Sequence, residues 1–212
     1  ETVGAIDVGS NNFRLTIAQV NEDGSTVTLE ELTKPTEIGT DVFQEGRIRA
    51  AAIRETVEAL AGFAGLLKEY RVKTYKAVAT SAFREAENRE YVLERIRMET
   101  GLTIDVINSA QERYYMYKAL RYRSPDIGFA GYDESALVVN IASGGVEFSI
   151  YEKGSLMMTE YIKIGALRLH ETLSALQTKT FAFSRVMEEF IDSRLLFVKS
   201  VVSKAKVRYF IG

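Results

Sequence analysis

Two stretches far apart in the chain share one outline, and this repetition limits the fold more than any other feature. AIDVGSNNFRL (residues 5–15) and LVVNIASGGVEFSI (residues 137–150) each read as an apolar run, a polar residue, a few small residues and a second, alternating run. The pattern is that of two strands joined by a tight loop whose small residues let the backbone come close to a ligand. A chain that carries the figure twice is expected to hold two related domains rather than one continuous sheet.

The surroundings repeat as well. Val3 to Ile6 reads as a short buried strand, and Phe13, Leu15 and Ile17 then alternate with Arg14, Thr16 and Ala18. Asn21-Glu22-Asp23-Gly24 is a turn signal, with a third strand expected over 26–33. Between Arg47 and Tyr70, apolar residues recur at Ile53, Val57, Leu60, Ala64 and Leu67, the spacing of a helix with one core face. A strand over 75–79, a helix capped by Asn88 and ending at Gly101, a strand over 102–107 and a helix from Ser109 follow. The turn-rich segment 121–134, RYRSPDIGFAGYDE, is expected to separate the domains. Beyond it the pattern restarts, with strands over 136–141, 146–152 and 156–163, a Lys153-Gly154 turn, a short helix and a long helix near 180–203. The expectation is an α/β fold with domains over 1–122 and 123–212. KVRYFIG reads as a strand entry after the long helix, so the second domain is expected to be incomplete.

Composition removes several function classes. The 27 Lys and Arg against 29 Asp and Glu give a net charge of -2, without the basic excess that general nucleic-acid binding needs, so no DNA partner is expected. The absence of Cys excludes disulfides, thiolate metal sites and a Cys nucleophile, and a single histidine, His170, leaves no material for Ser-His-Asp chemistry. No apolar run reaches the length of a membrane span, so a cytoplasmic protein without a membrane partner is expected. The chain opens on Glu1 rather than Met, which is compatible with a trimmed leader.

Three stretches carry the chemistry. In Asp7-Val8-Gly9-Ser10-Asn11-Asn12, successive loop N–H groups can form a concave anion site, and the Asp7 carboxylate suits magnesium or its water. The same loop reads equally well as an ordinary hairpin turn. In Ala79-Thr80-Ser81-Ala82-Phe83-Arg84, the Arg84 fork could clamp a phosphate or pair with Glu85 or Glu87 on the surface. In Asn108-Ser109-Ala110-Gln111-Glu112, the Ser109-x-x-Glu112 spacing is a capping box, and Glu112 can serve as a cap, a general base or both. His170, at helical spacing in LRLHETL, reads as structural.

Taken together these segments resemble the exopolyphosphatase/guanosine-pentaphosphate phosphohydrolase (Ppx/GppA) family. The resemblance runs through AIDVGSNNFRL, EIGTDVFQEGRIRAAAIRETVEAL, AVATSAFREAENRE, TGLTIDVINSAQE, the strand pair at 137–150 and IKIGALRLHETL, in that order. It implies the actin/Hsp70/sugar-kinase (ribonuclease H-like) fold, in which each of two related domains brings one phosphate loop to a cleft. It also implies metal-assisted hydrolysis of the terminal phosphoanhydride of polyphosphate or guanosine pentaphosphate. Glu112 and Arg84 are then the catalytic pair, with Gly9, Ser10, Asn11, Arg14, Gly144 and Gly145 on phosphate. Asp7 and Glu147 are the expected metal carboxylates, magnesium the expected cofactor, and a homodimer is among the expected assemblies.

The second loop departs from the family pattern. Where the family reads Asp-x-Gly-Gly-Gly-Ser-Thr-Glu, this chain has Asn140-Ile141-Ala142-Ser143-Gly144-Gly145-Val146-Glu147. Asn140 lacks the charge that a metal-bound water needs, Ala142 and Ser143 add Cβ atoms, and Val146 removes a hydroxyl. Asn108-Ser109-Ala110-Gln111 also replaces the favoured Ser-Gly-x-Glu. An active hydrolase is the first reading, and a catalytically degenerate phosphate- or nucleotide-binding or interaction module is the alternative. A sugar- or acetate-kinase relative is the weakest, because Glu112 and ATSAFR fit the phosphatase branch.

Overall fold

The computed structural model describes residues 1–123, 135–153, 155–177, 182–205 and 207–212. They divide into two compact units, Glu1–Asn108 and Ser109–Gly212.

The first unit opens with three antiparallel strands, β1 (Thr2–Val8), β2 (Asn12–Val20) and β3 (Thr26–Pro35). The chain then passes through helices α1 (Ile38–Glu45) and α2 (Ala50–Glu69) and returns as β4 (Thr74–Ala79), parallel to β1. Helices α3 (Ser81–Glu85) and α4 (Arg89–Thr100) lead to the short β5 (Asp105–Val106), and the sheet order is β3-β2-β1-β4-β5. Phe13, Leu15 and Ile17 are buried while Arg14 between them is exposed, which is the alternation of a sheet covered on one face. All five of the apolar positions spaced along α2, Ile53, Val57, Leu60, Ala64 and Leu67, lie in the same core. Each carries apolar surface out of water, the main favourable contribution to folding.

The second unit contains α5 (Ser109–Arg123), β6 (Ser135–Ile141), β7 (Val146–Glu152), β8 (Ser155–Ile162), α6 (Ala166–Gln177), α7 (Phe183–Val202) and β9 (Tyr209–Ile211). Its sheet order is β8-β7-β6-β9, with β6, β7 and β8 antiparallel and β9 parallel to β6. This is the order of the first unit over four strands, so the repeat read in the sequence is a repeat of topology. Met116, Tyr117 and Leu120 of α5 pack against Val138 and Tyr151, and the Tyr117 and Tyr151 rings stack with centroids 5.8 Å apart. Helix α5 thus groups with the second unit, and the boundary expected at 122/123 falls at its C-terminal end. Of the expected separating segment, 124–134 lie outside the described residues, as do Gly154 of the expected turn and residues 180 and 181 of the expected long helix.

Two elements were not expected, and one cap is corrected. Helix α1 ends at Gly46, whose φ of 75° gives the left-handed turn that glycine favours. Its Asp41 is fully buried and pairs with Arg49, accepting the Arg49 backbone N–H at 2.9 Å just ahead of α2. The short α3 lies inside the ATSAFR stretch. Asn88 does precede α4, but its side chain caps nothing there. Its amide instead receives the Ile48 N–H at 3.0 Å and donates to the Ile48 carbonyl at 2.9 Å. A two-point bond to distant backbone satisfies both ends of the amide, where a cap would use only one.

Candidate phosphate-binding loops

In the first unit the loop between β1 and β2 stands at the C-terminal end of β1, where open α/β sheets place their ligand sites. The Gly9 N–H bonds the Asn12 carbonyl at 3.1 Å, and a Cβ on Gly9 would lie 2.8 Å from that same oxygen. Glycine is therefore required by the tightness of the turn. The loop is tied on three sides. Its Asn11 and Ser10 carbonyls accept the N–H groups of Thr36 and Gly39 at 3.0 and 2.9 Å. The Ser10 hydroxyl is buried, 2.8 Å from the Ser81 hydroxyl, and accepts the Ala82 N–H at 3.1 Å. Among the described residues no backbone carbonyl takes the N–H groups of Ser10 and Asn11, nor those of Ser143 and Gly144 at the equivalent positions of the second loop.

Arg84 sits in α3, and one guanidinium nitrogen donates to the Ile107 carbonyl at 2.9 Å. The Ile107 N–H in turn bonds the Ala79 carbonyl at 3.0 Å, so Arg84 is oriented by the ends of β4 and β5. Asp7 and Arg14 are both exposed and stand opposite each other in the β1–β2 register. Ser81, Ala82 and Ile107 were not singled out in the sequence. The only signal for Ser81 and Ala82 was their place inside ATSAFR.

The second loop repeats this bonding in part. The Ala142 N–H bonds the Gly145 carbonyl at 2.9 Å, as Gly9 does with Asn12. The Ala142 and Ser143 carbonyls accept the N–H groups of Ala166 and Arg168 at 3.3 and 3.1 Å, and the Arg168 Nε donates to the Gly144 carbonyl at 2.7 Å. Gly144 and Gly145 are buried rather than open. A Cβ at Gly145 would collide with the Tyr161 ring and come within 2.7 Å of the Ile162 carbonyl. Both the loop and the entry to α6 are thus held by backbone-to-backbone packing.

At the base of this loop Asn140 stands opposite Glu147 in the β6–β7 register, the positions of Asp7 and Arg14 in the first unit. Glu147 is 6% exposed. Its Oε1 lies 3.2 Å from the Nε of Arg113 on α5 and accepts the Ser149 hydroxyl at 3.3 Å. Burial pushes the neighbouring Tyr151 phenol up, while the Arg113 charge pulls in the opposite direction. Ala110, Arg113, Tyr114, Tyr117, Tyr151 and Leu156 line a cavity of about 390 Å³ beside this pair. Glu112, next to Arg113, is half-buried in the first turn of α5. His170 is exposed on α6, its Nδ1 3.2 Å from Glu171. Among the described residues no group of three or more His, Cys, Asp and Glu side chains lies together as a metal site, and no helix is long and apolar enough to cross a membrane.

Two units that share one strand order over four strands, each with a tight loop between its first two strands, define an α/β protein of the actin/Hsp70/sugar-kinase fold. A model of the Ppx/GppA phosphatase family matches residues 16–205, and the chain belongs to this family. The crystal structure of the Aquifex aeolicus Ppx/GppA family member is 33% identical, with a TM-score of 0.69 over 93% of this chain and 62% of its own. An exopolyphosphatase from Cytophaga hutchinsonii is 25% identical, with a TM-score of 0.79 over 100% of this chain and 66% of its own. The bifunctional 3-dehydroquinate synthase/phosphatase of Fusobacterium nucleatum is 29% identical over 173 residues, which are 79% of this chain and 26% of that protein. The chain thus spans about a quarter of this curated relative and less than two thirds of either structure.

Proposed function

We propose that the chain is the phosphate-handling core of an exopolyphosphatase-type phosphatase that hydrolyses terminal phosphoanhydrides of polyphosphate or guanosine pentaphosphate. The observation that carries this reading is the first loop, whose Ser10 and Asn11 amides meet no backbone carbonyl among the described residues while the Ser10 and Asn11 carbonyls and the Ser10 hydroxyl are bonded within the unit. Amides fixed in advance can meet the charge that grows on a phosphoryl group without reorganising at the moment of reaction. Arg84 and Arg14 add charge-assisted donors for the non-bridging oxygens. Glu112 activates the attacking water as general base. Asp7 is the carboxylate of the first loop that would hold magnesium, which would supply counter-charge to the substrate's phosphate chain.

A second reading, a family member that binds phosphate or nucleotide without hydrolysing it, is favoured by the pairing of Glu147 with Arg113. Release of inorganic phosphate from long-chain polyphosphate and from guanosine pentaphosphate, with and without magnesium, separates the two. Magnesium-dependent release from at least one substrate is expected. Tight binding of both substrates without release would move the conclusion to the binding module.

A further inference from the structure

We propose that the Arg113 guanidinium takes the place of a bound divalent cation at Glu147, so that the second loop holds no metal there and carries a cation built into the chain instead. The resemblance places a metal carboxylate at Glu147, and the residues around it do not fit that role. Glu147 is buried, and its Oε1 already faces two donors, the Arg113 Nε at 3.2 Å and the Ser149 hydroxyl at 3.3 Å. Magnesium demands a near-octahedral array of oxygen ligands, usually one or two carboxylates together with waters and substrate phosphates, and so needs carboxylate lone pairs open to it. The residue opposite Glu147 is Asn140, which brings no charge. A magnesium ion on this carboxylate would also stand beside a guanidinium that does not lose its proton, and like charges that close repel strongly away from bulk water.

The two loops support the same assignment by comparison. In the first unit the cross-strand pair at the loop base is Asp7 opposite Arg14, one carboxylate and one guanidinium. In the second the equivalent pair is Asn140 opposite Glu147, and the guanidinium arrives from α5 instead. Each loop therefore rests on one negative and one positive side chain, reached by different routes. Arg113 is 13% exposed at its side chain and also lines the cavity beside Tyr114, Tyr117 and Tyr151, so its position is set by packing as well as by charge.

This inference rests on reading residues 140–147 as a phosphate loop, and its test uses no substrate, so it stands or falls apart from hydrolysis. Manganese is the probe, with bound and free Mn²⁺ counted by electron paramagnetic resonance on the 212-residue chain. Wild type and the Arg113→Gln, Glu147→Gln double variant, which removes both charges together, are expected to bind the same number of ions. Arg113→Ala combined with Asn140→Asp, which withdraws the built-in cation and supplies a second carboxylate, is expected to gain one Mn²⁺ per chain. Loss of one bound ion in the Gln double variant overturns the proposal, and so does failure of the Ala, Asp variant to gain one.

Discussion

Alanine at position 165 is expected to cost the second unit about 3 kcal/mol or more, the upper range for forcing atoms into a packed interior. A Cβ on Gly165 would run into the Gly145 nitrogen and the Ala142 and Ser143 carbonyl oxygens. All three are backbone atoms, so no side chain can swing aside, and relief requires the loop to separate from the start of α6. Urea unfolding of Gly165→Ala against wild type measures the loss. Gly62→Ala is the counterpart, because that glycine lies within α2 and an added Cβ would meet nothing within 4 Å. Its substitution is expected to stabilise by about 0.5–1 kcal/mol, since alanine surrenders less backbone freedom in a helix. Equal stability of Gly165→Ala and wild type would show that the second loop is not packed against α6 in this way.

Glu112→Gln is expected to lower phosphate release by ~10²–10⁴-fold, the usual loss when a positioned general base is removed. The amide keeps the size of the side chain and can still accept a hydrogen bond, so a role in capping α5 survives while proton acceptance does not. Turnover should therefore collapse with little change in the unfolding midpoint. Parallel losses of turnover and stability would make Glu112 a structural cap, and unchanged turnover would place the base elsewhere.

Much of the fold could be read from local pattern, because β1 and β2 alternate buried and exposed residues and β6 carries a buried apolar run. Phe13, Leu15 and Ile17, and the five apolar positions of α2, announced themselves by spacing alone. Helices α1 and α3 did not, since neither is long enough for a 3.6-residue period to emerge. Asn88 looked like a cap because a cap is a local event, whereas its partner, Ile48, is brought to it by the fold. The site divides along the same line. The two loops were visible as small residues between apolar runs, including the irregularity of the second. What those residues do was less visible. Ser10 is buried against Ser81 and Ala82, which only the sheet order brings together. Arg113 carried no signal at all, because the carboxylate that gives it meaning lies far along the chain, on β7.

Phosphate is expected at the first loop, because the second is packed against the entry to α6 and carries its own cation. Crystals soaked in phosphate, and separately in sulfate, test it most directly. Anion density is expected against the amides of Ser10 and Asn11 with Arg84 alongside. Density held only by residues 142–146, with the first loop bare, would contradict it.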